Sequence, residues 1–152
     1  MTDQADSVPE RLQCSETVRI AAAADAVWAV VGDLASLIPG GGMVERIDLA
    51  GEGTGAIRTF HLPGGATVVE RIESHDPAHR RYSYRILDSG PLPFADYVGA
   101  AEVNADGPDA CTLSWSADAA PAGVDAGTLR AMVEANLNGV LQAVAAHFRP
   151  AA

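Results

Sequence analysis

The chain contains no lysine; its ten basic residues are all arginine. Schiff-base catalysis by a lysine amine is therefore excluded. Basic residues are outnumbered by acidic ones, 10 against 20, for a formal net charge of -10. Such a charge disfavours nucleic acid and anionic membranes as partners, since both require a basic face. No apolar run approaches the ~18 residues of a membrane-spanning helix. The opening segment MTDQADSVPERLQ is polar and acidic, without the apolar centre of a secretory signal, so the expected address is the cytoplasm. Cysteine is scarce. Cys14 and Cys111 form no CxxC motif and read as buried small hydrophobes. His61, His75, His79 and His147 do not assemble into a metal set, because Asp76-Pro77 forbids a helix between the two that are four apart. The letters GEGTGA match a dinucleotide fingerprint, yet no helix follows them. No serine stands in a nucleophile elbow. Neither metal nor cofactor is expected.

What the sequence does have is one long amphipathic segment at its end. From Asp125 to Phe148, Leu129, Met132, Val133, Leu137, Val140, Leu141, Val144 and Phe148 recur at three- and four-residue steps. That spacing lines one face of a helix of about six turns. Asp125 is the expected N-cap, with Thr128 as alternative, and Pro150 ends the run. A stripe so wide needs a large cover, and almost everything upstream reads as strands. Alternation and turn signals predict strands over 11–20, 43–49, 56–62, 66–74, 80–87, 95–103 and 111–119. Between the first two, Ala22–Val31 predicts a helix capped by Asp25 or an earlier turn. Asp33–Ile38 predicts a second short one, stopped by Pro39 and Gly40–Gly42. Residues 1–10 read as a disordered tail and 11–149 as a single domain. The expected class is α+β, a curved seven-stranded antiparallel sheet around one long C-terminal helix.

Strand parity singles out the polar residues. Arg58 shares its face with Phe60 and Leu62, and Glu70 shares its own with Val68 and Ile72. Directly opposed residues on neighbouring strands lie ~5 Å apart, so an Arg58–Glu70 pair is expected inside the sheet. It is either a structural ion pair or a pair that faces a ligand. Tyr97, Gly99, Ala101 and Val103 form one parity of their strand, and the small residues leave room beside the phenol, as a cavity wall requires. A phenol can donate to a ligand carbonyl and stabilise an enolate-like oxygen; the alternative is a core tyrosine bonded to backbone. Asn136 stands at the edge of the helix stripe, either closing a cavity network or half exposed. His61 falls on the opposite parity, facing out. Trp115 shares parity with Leu113, but a one-residue slip would turn Ser114 inward instead.

The segments AAADAVWAVVGDL, GTGAIRT, VVERIESHDPAHRRYSYRI and PLPFADYVG, followed by the terminal helix, stand in a distinctive order. From about Thr17 to Phe148 the chain resembles the START-like helix-grip superfamily, also called SRPBCC. That superfamily includes the polyketide cyclase/dehydrase group and the plant abscisic acid receptors. The resemblance implies a sheet that grips the last helix and encloses an elongated apolar cavity. By it, Leu62-Pro63-Gly64-Gly65-Ala66 is similar to the receptors' gate loop and Pro91-Leu92-Pro93-Phe94 stands where their latch does. Arg58, Glu70, Tyr97 and Asn136 then fall on positions that line or approach the ligand, and Ser114 rather than Trp115 points inward. The receptors hold a ligand carboxylate with a lysine. Here the matching region reads Met43-Val44-Glu45, so a carboxylate held in that way is not expected.

Parity and resemblance together give a candidate wall of Phe60, Leu62, Pro63, Val68, Leu92, Gly99, Ala101, Leu129, Met132, Val133, Asn136 and Val140. The expected function is to enclose one apolar, oxygenated small molecule of polyketide or terpenoid type. If the protein is a catalyst, the reaction that suits these residues is cofactor-free cyclisation or dehydration, with Tyr97, Glu70 and Arg58 as catalytic residues. The alternatives are a non-catalytic carrier or sensor with the same cavity and, third, an interaction or maturation factor. The expected partners are a hydrophobic small molecule and, at most, a second copy of the chain in a homodimer.

Overall fold

The computed structural model describes residues 11–38 and 43–150. The tail expected over residues 1–10, and the Pro39–Gly42 stop, lie outside the described residues. The elements are β1 (Leu12–Ile20), α1 (Ala24–Val31), β2 (Arg46–Ala50), β3 (Ile57–His61), β4 (Thr67–Asp76), β5 (Arg81–Asp88), β6 (Phe94–Ala105), β7 (Cys111–Pro121) and α2 (Ala126–His147). The strands form one seven-stranded sheet in the order β1-β7-β6-β5-β4-β3-β2. Every neighbouring pair is antiparallel. Short turns join β2 through β7 as successive hairpins, whereas β1 lies at the far edge beside β7.

Helix α2 packs over β1 and β7. It buries Leu129, Val133, Leu137, Leu141 and Val144, which recur at three- or four-residue steps down one side. Each large apolar side chain removed from water contributes ~1.5–3 kcal/mol, so this stripe anchors the helix to the sheet. Asp125 caps it: the carboxylate oxygen Oδ1 accepts from the Thr128 amide at 2.7 Å. Met132 lies outside the buried stripe at 44% exposed, which leaves one flank of α2 free of the sheet.

Two local expectations need correction. Helix α1 begins after Ala23, which offers no side-chain cap. Asp25 sits inside its first turn and instead accepts from Arg80 Nε at 2.7 Å. The second short helix over Asp33–Ile38 is absent. Asp33 folds the segment into a turn by accepting from the Ala35 amide at 3.2 Å and from the Ser36 hydroxyl at 2.7 Å. Such side-chain bonds offer the backbone an alternative to the helix, and six residues are too few to nucleate one unaided. The turn has a use: it brings the Leu34 carbonyl against the sheet.

Two strands depart from regular pairing in ways that shape the interior. β4 shifts register between Val69 and Glu70 and again between Ile72 and Ser74. β6 shifts between Ala95 and Val98, where Asp96 adopts a positive φ of 52°. A bulge bends its strand and re-aims side chains. Here Phe94 and Tyr97 both point inward despite their odd spacing, with ring centroids 4.7 Å apart.

Candidate functional site

Between the sheet, the free flank of α2 and the segment around Leu37 and Met43 lies a cavity of about 620 Å³. Its walls are mostly apolar: Phe60, Leu62, Val68, Ile86, Leu92, Leu129, Val133 and Val140 all line it. Leu37, Met43 and Met132 line it while remaining 43%, 65% and 44% exposed, so they mark its opening. Asn136 lines the same flank of α2, on an exposed position.

The charged centre is an ion pair. Arg58 and Glu70 are register partners on β3 and β4, and both are buried, at 6% and 3% exposure. Arg58 Nε donates to Glu70 Oε1 at 2.7 Å, and Nη2 donates to the same oxygen. Nη1 donates to the Leu34 carbonyl at 3.4 Å, and Nη2 also reaches the Tyr82 hydroxyl at 3.4 Å. The guanidinium carbon stands 5.0 Å from the Phe60 ring centroid and 5.3 Å from that of Tyr82, within cation–π range of both. Burial opposes the Arg58 charge, but Tyr82 and Glu70 beside it hold its pKa above the usual arginine value. Burial raises the Glu70 pKa above the ordinary carboxylate value, and the Arg58 charge and hydrogen bond only partly offset it.

Tyrosines and a tryptophan line the wall beside this pair. Trp115 Nε1 donates to the Tyr84 hydroxyl at 3.1 Å, and Tyr84 stacks on Tyr97 with centroids 6.4 Å apart. Burial pushes the Tyr97 pKa up to about 12, with a hydrogen bond from the Tyr84 side pulling the other way. The phenol is therefore protonated at neutral pH and can donate a hydrogen bond. The Arg58–Glu70 pair and these hydroxyls are polar groups with which the cavity can bind oxygen atoms or move protons.

The expected residues divide clearly. Arg58, Glu70, Tyr97, Phe60, Leu62, Val68, Leu92, Leu129, Met132, Val133, Asn136 and Val140 all reach the cavity. Pro63, Gly99 and Ala101 do not. Pro63 opens the turn Pro63–Gly65 beyond the wall. Gly99 lies beneath Tyr84, whose ring and hydroxyl occupy the place a Cβ would take. Ala101 pairs in register with Tyr82 and Trp115. The room left by these small residues is filled by aromatic rings, so it is not open to a ligand. Ser114 faces away, its hydroxyl 3.2 Å from that of Thr17, and Trp115 faces in.

Sequence reasoning did not single out Tyr82, Tyr84 and Ile86, although RYSYRI alternates cleanly and would have placed all three on one face. Outside the cavity, His61 points away and meets Asp48 Oδ2 at 2.6 Å. Both cysteines are buried and free. Among the described residues no cluster of His, Cys, Asp and Glu is arranged to hold a metal ion. No described helix is long and apolar enough to cross a membrane.

Over residues 11–149 the sequence matches the family described as polyketide cyclase / dehydrase and lipid transport. No curated protein sequence matches it. Among solved structures, a protein from Thermobifida fusca is 27% identical, with 90% of this chain and 92% of that one covered and a TM-score of 0.77. The ZhuI aromatase/cyclase from Streptomyces is 24% identical over 91% of this chain and 93% of its own, with a TM-score of 0.76. Norcoclaurine synthase from Thalictrum flavum, in complex with a transition-state analogue, is 22% identical over 90% of this chain and 98% of its own, with a TM-score of 0.63. At these last two identities the likeness is one of fold.

Proposed function

The chain belongs to the polyketide cyclase/dehydrase and lipid-transport family, and we propose that it encloses one apolar, oxygen-bearing small molecule of polyketide or terpenoid type. The observation that carries this is the cavity of about 620 Å³, apolar over most of its wall yet lined also by a buried ion pair and tyrosine side chains. Pockets for small molecules typically measure ~300–1,000 Å³, with apolar walls and a few convergent polar groups. Leu62 and Leu92 bring the two proline-containing loops to the wall, where they control entry.

Native mass spectrometry of freshly purified protein tests the proposal. A retained small molecule, or saturable one-to-one uptake of a hydrophobic natural product, is expected. Absence of both, with the fold intact, overturns it.

A catalytic version is favoured by one specific arrangement. Glu70 and the Tyr97 phenol line the same cavity. A carboxylate that can take a proton and a phenol that can stabilise an oxyanion suit aldol-type cyclisation or dehydration without a cofactor. The enclosed walls would hold a flexible chain in reactive geometry. The cyclase named above shares this fold. A carrier or sensor would use the same walls without turnover, and product formation from a polyketone substrate separates the two.

A further inference from the structure

We propose that Glu70 sets the charge selectivity of the cavity, admitting an uncharged ligand that carries a hydroxyl donor and turning away carboxylates. The inference rests on the binding function above and specifies its ligand class. Arg58 is the one cationic side chain among the described residues that line the cavity, and it already has a carboxylate counterion in Glu70. All three guanidinium nitrogens have partners within the protein. The rings of Phe60 and Tyr82 lie within cation–π distance of the guanidinium.

Glu70 is engaged on one side only. Both of its bonds from Arg58 end on Oε1, and Oε2 accepts from no described residue. No side-chain oxygen or nitrogen sealed from solvent lacks a partner among the described residues, so Oε2 keeps access to the cavity that Glu70 lines. An ionised carboxylate only accepts hydrogen bonds. A ligand hydroxyl laid against Oε2 completes the set. A ligand carboxylate there would set two like charges side by side in a poorly solvated space, a costly arrangement. Asp33, also on the wall, adds a further negative group.

Three probes with one ring system isolate the charge effect: naphthol, its methyl ether and naphthoate, all substituted at the same ring carbon. Calorimetric titration at about pH 7 keeps the acid ionised and the phenol neutral. The wild-type protein should bind naphthol about tenfold or more tighter than the ether, as a hydrogen bond to a charged group implies, and naphthoate weakest of the three. In Glu70→Gln the Arg58 charge loses its counterion, so naphthoate should gain about tenfold or more and the lead of naphthol should disappear. Should that variant fail to fold, Arg58→Met/Glu70→Met removes the pair together. There naphthol and the ether should bind alike. A wild-type protein that prefers naphthoate, or that treats naphthol and its ether alike, overturns the selectivity. Saturable binding of none of the three overturns the enclosure function, and this inference with it.

Discussion

Arg58 and Glu70 face each other across β3 and β4, and two nitrogens of one meet a single oxygen of the other. The pair is buried among Leu34, Phe60 and Tyr82 rather than at the surface. Removing one partner strands a charge in a poorly solvated place, at a cost of roughly 3–5 kcal/mol. Replacing both with apolar residues should cost far less than the sum of the single changes. Urea unfolding of Arg58→Met, Glu70→Met and the double variant measures the coupling; simple additivity would show that the two side chains act independently.

The stability of the pair also depends on pH. Burial raises the Glu70 pKa in the folded protein, so the native state holds this proton more tightly than the unfolded chain does. Its contribution is therefore complete below the ordinary carboxylate pKa and is lost as pH rises through the raised folded value. The difference in unfolding free energy between wild type and Glu70→Gln should shift against the wild type from about pH 4 upward, by at most ~1.4 kcal/mol per pH unit. Denaturant melts at a series of pH values check this. A difference that moves in favour of the wild type over that range would mean the Arg58 charge dominates and lowers the pKa instead.

Gly99 answers to Tyr84. Any Cβ at Gly99 runs into the tyrosine ring and hydroxyl, so Gly99→Ala must displace the ring that receives the Trp115 bond. Overpacking of this kind costs ~1–3 kcal/mol. A lower melting temperature and altered Trp115 fluorescence are expected together. A variant with unchanged stability but blocked ligand uptake would instead place Gly99 on the open wall.

Tyr97→Phe separates a catalyst from a carrier. The substitution keeps the ring that packs on Phe94 and Tyr84 and removes only a hydroxyl that is protonated at neutral pH. If the phenol stabilises a developing oxyanion, turnover should fall ~10²-fold or more with a smaller loss of affinity. In a carrier the same change should weaken binding by about 0.5–1.5 kcal/mol. Should binding and turnover both stay unchanged while the melting temperature drops, the hydroxyl is purely structural.

The sequence by itself determined the features whose causes are local. The α2 stripe and its Asp125 cap follow from spacing and from a carboxylate three residues before the amide it binds. The Arg58–Glu70 pairing follows from strand alternation about a short Pro-Gly-Gly turn, which leaves little freedom of register. Tertiary structure decided what depends on partners distant in sequence. Arg58, on β3, takes the carbonyl of Leu34 as an acceptor, in the segment where a second short helix was expected. Trp115 faces inward and its indole meets Tyr84 on another strand. The bulge at Asp96, whose carbonyl accepts from Arg11 on the chain leading into β1, puts Phe94 and Tyr97 on one face where strict alternation would separate them. A strand's own sequence specifies which residues alternate, but only the neighbouring chain supplies the bonds that hold a break in that alternation.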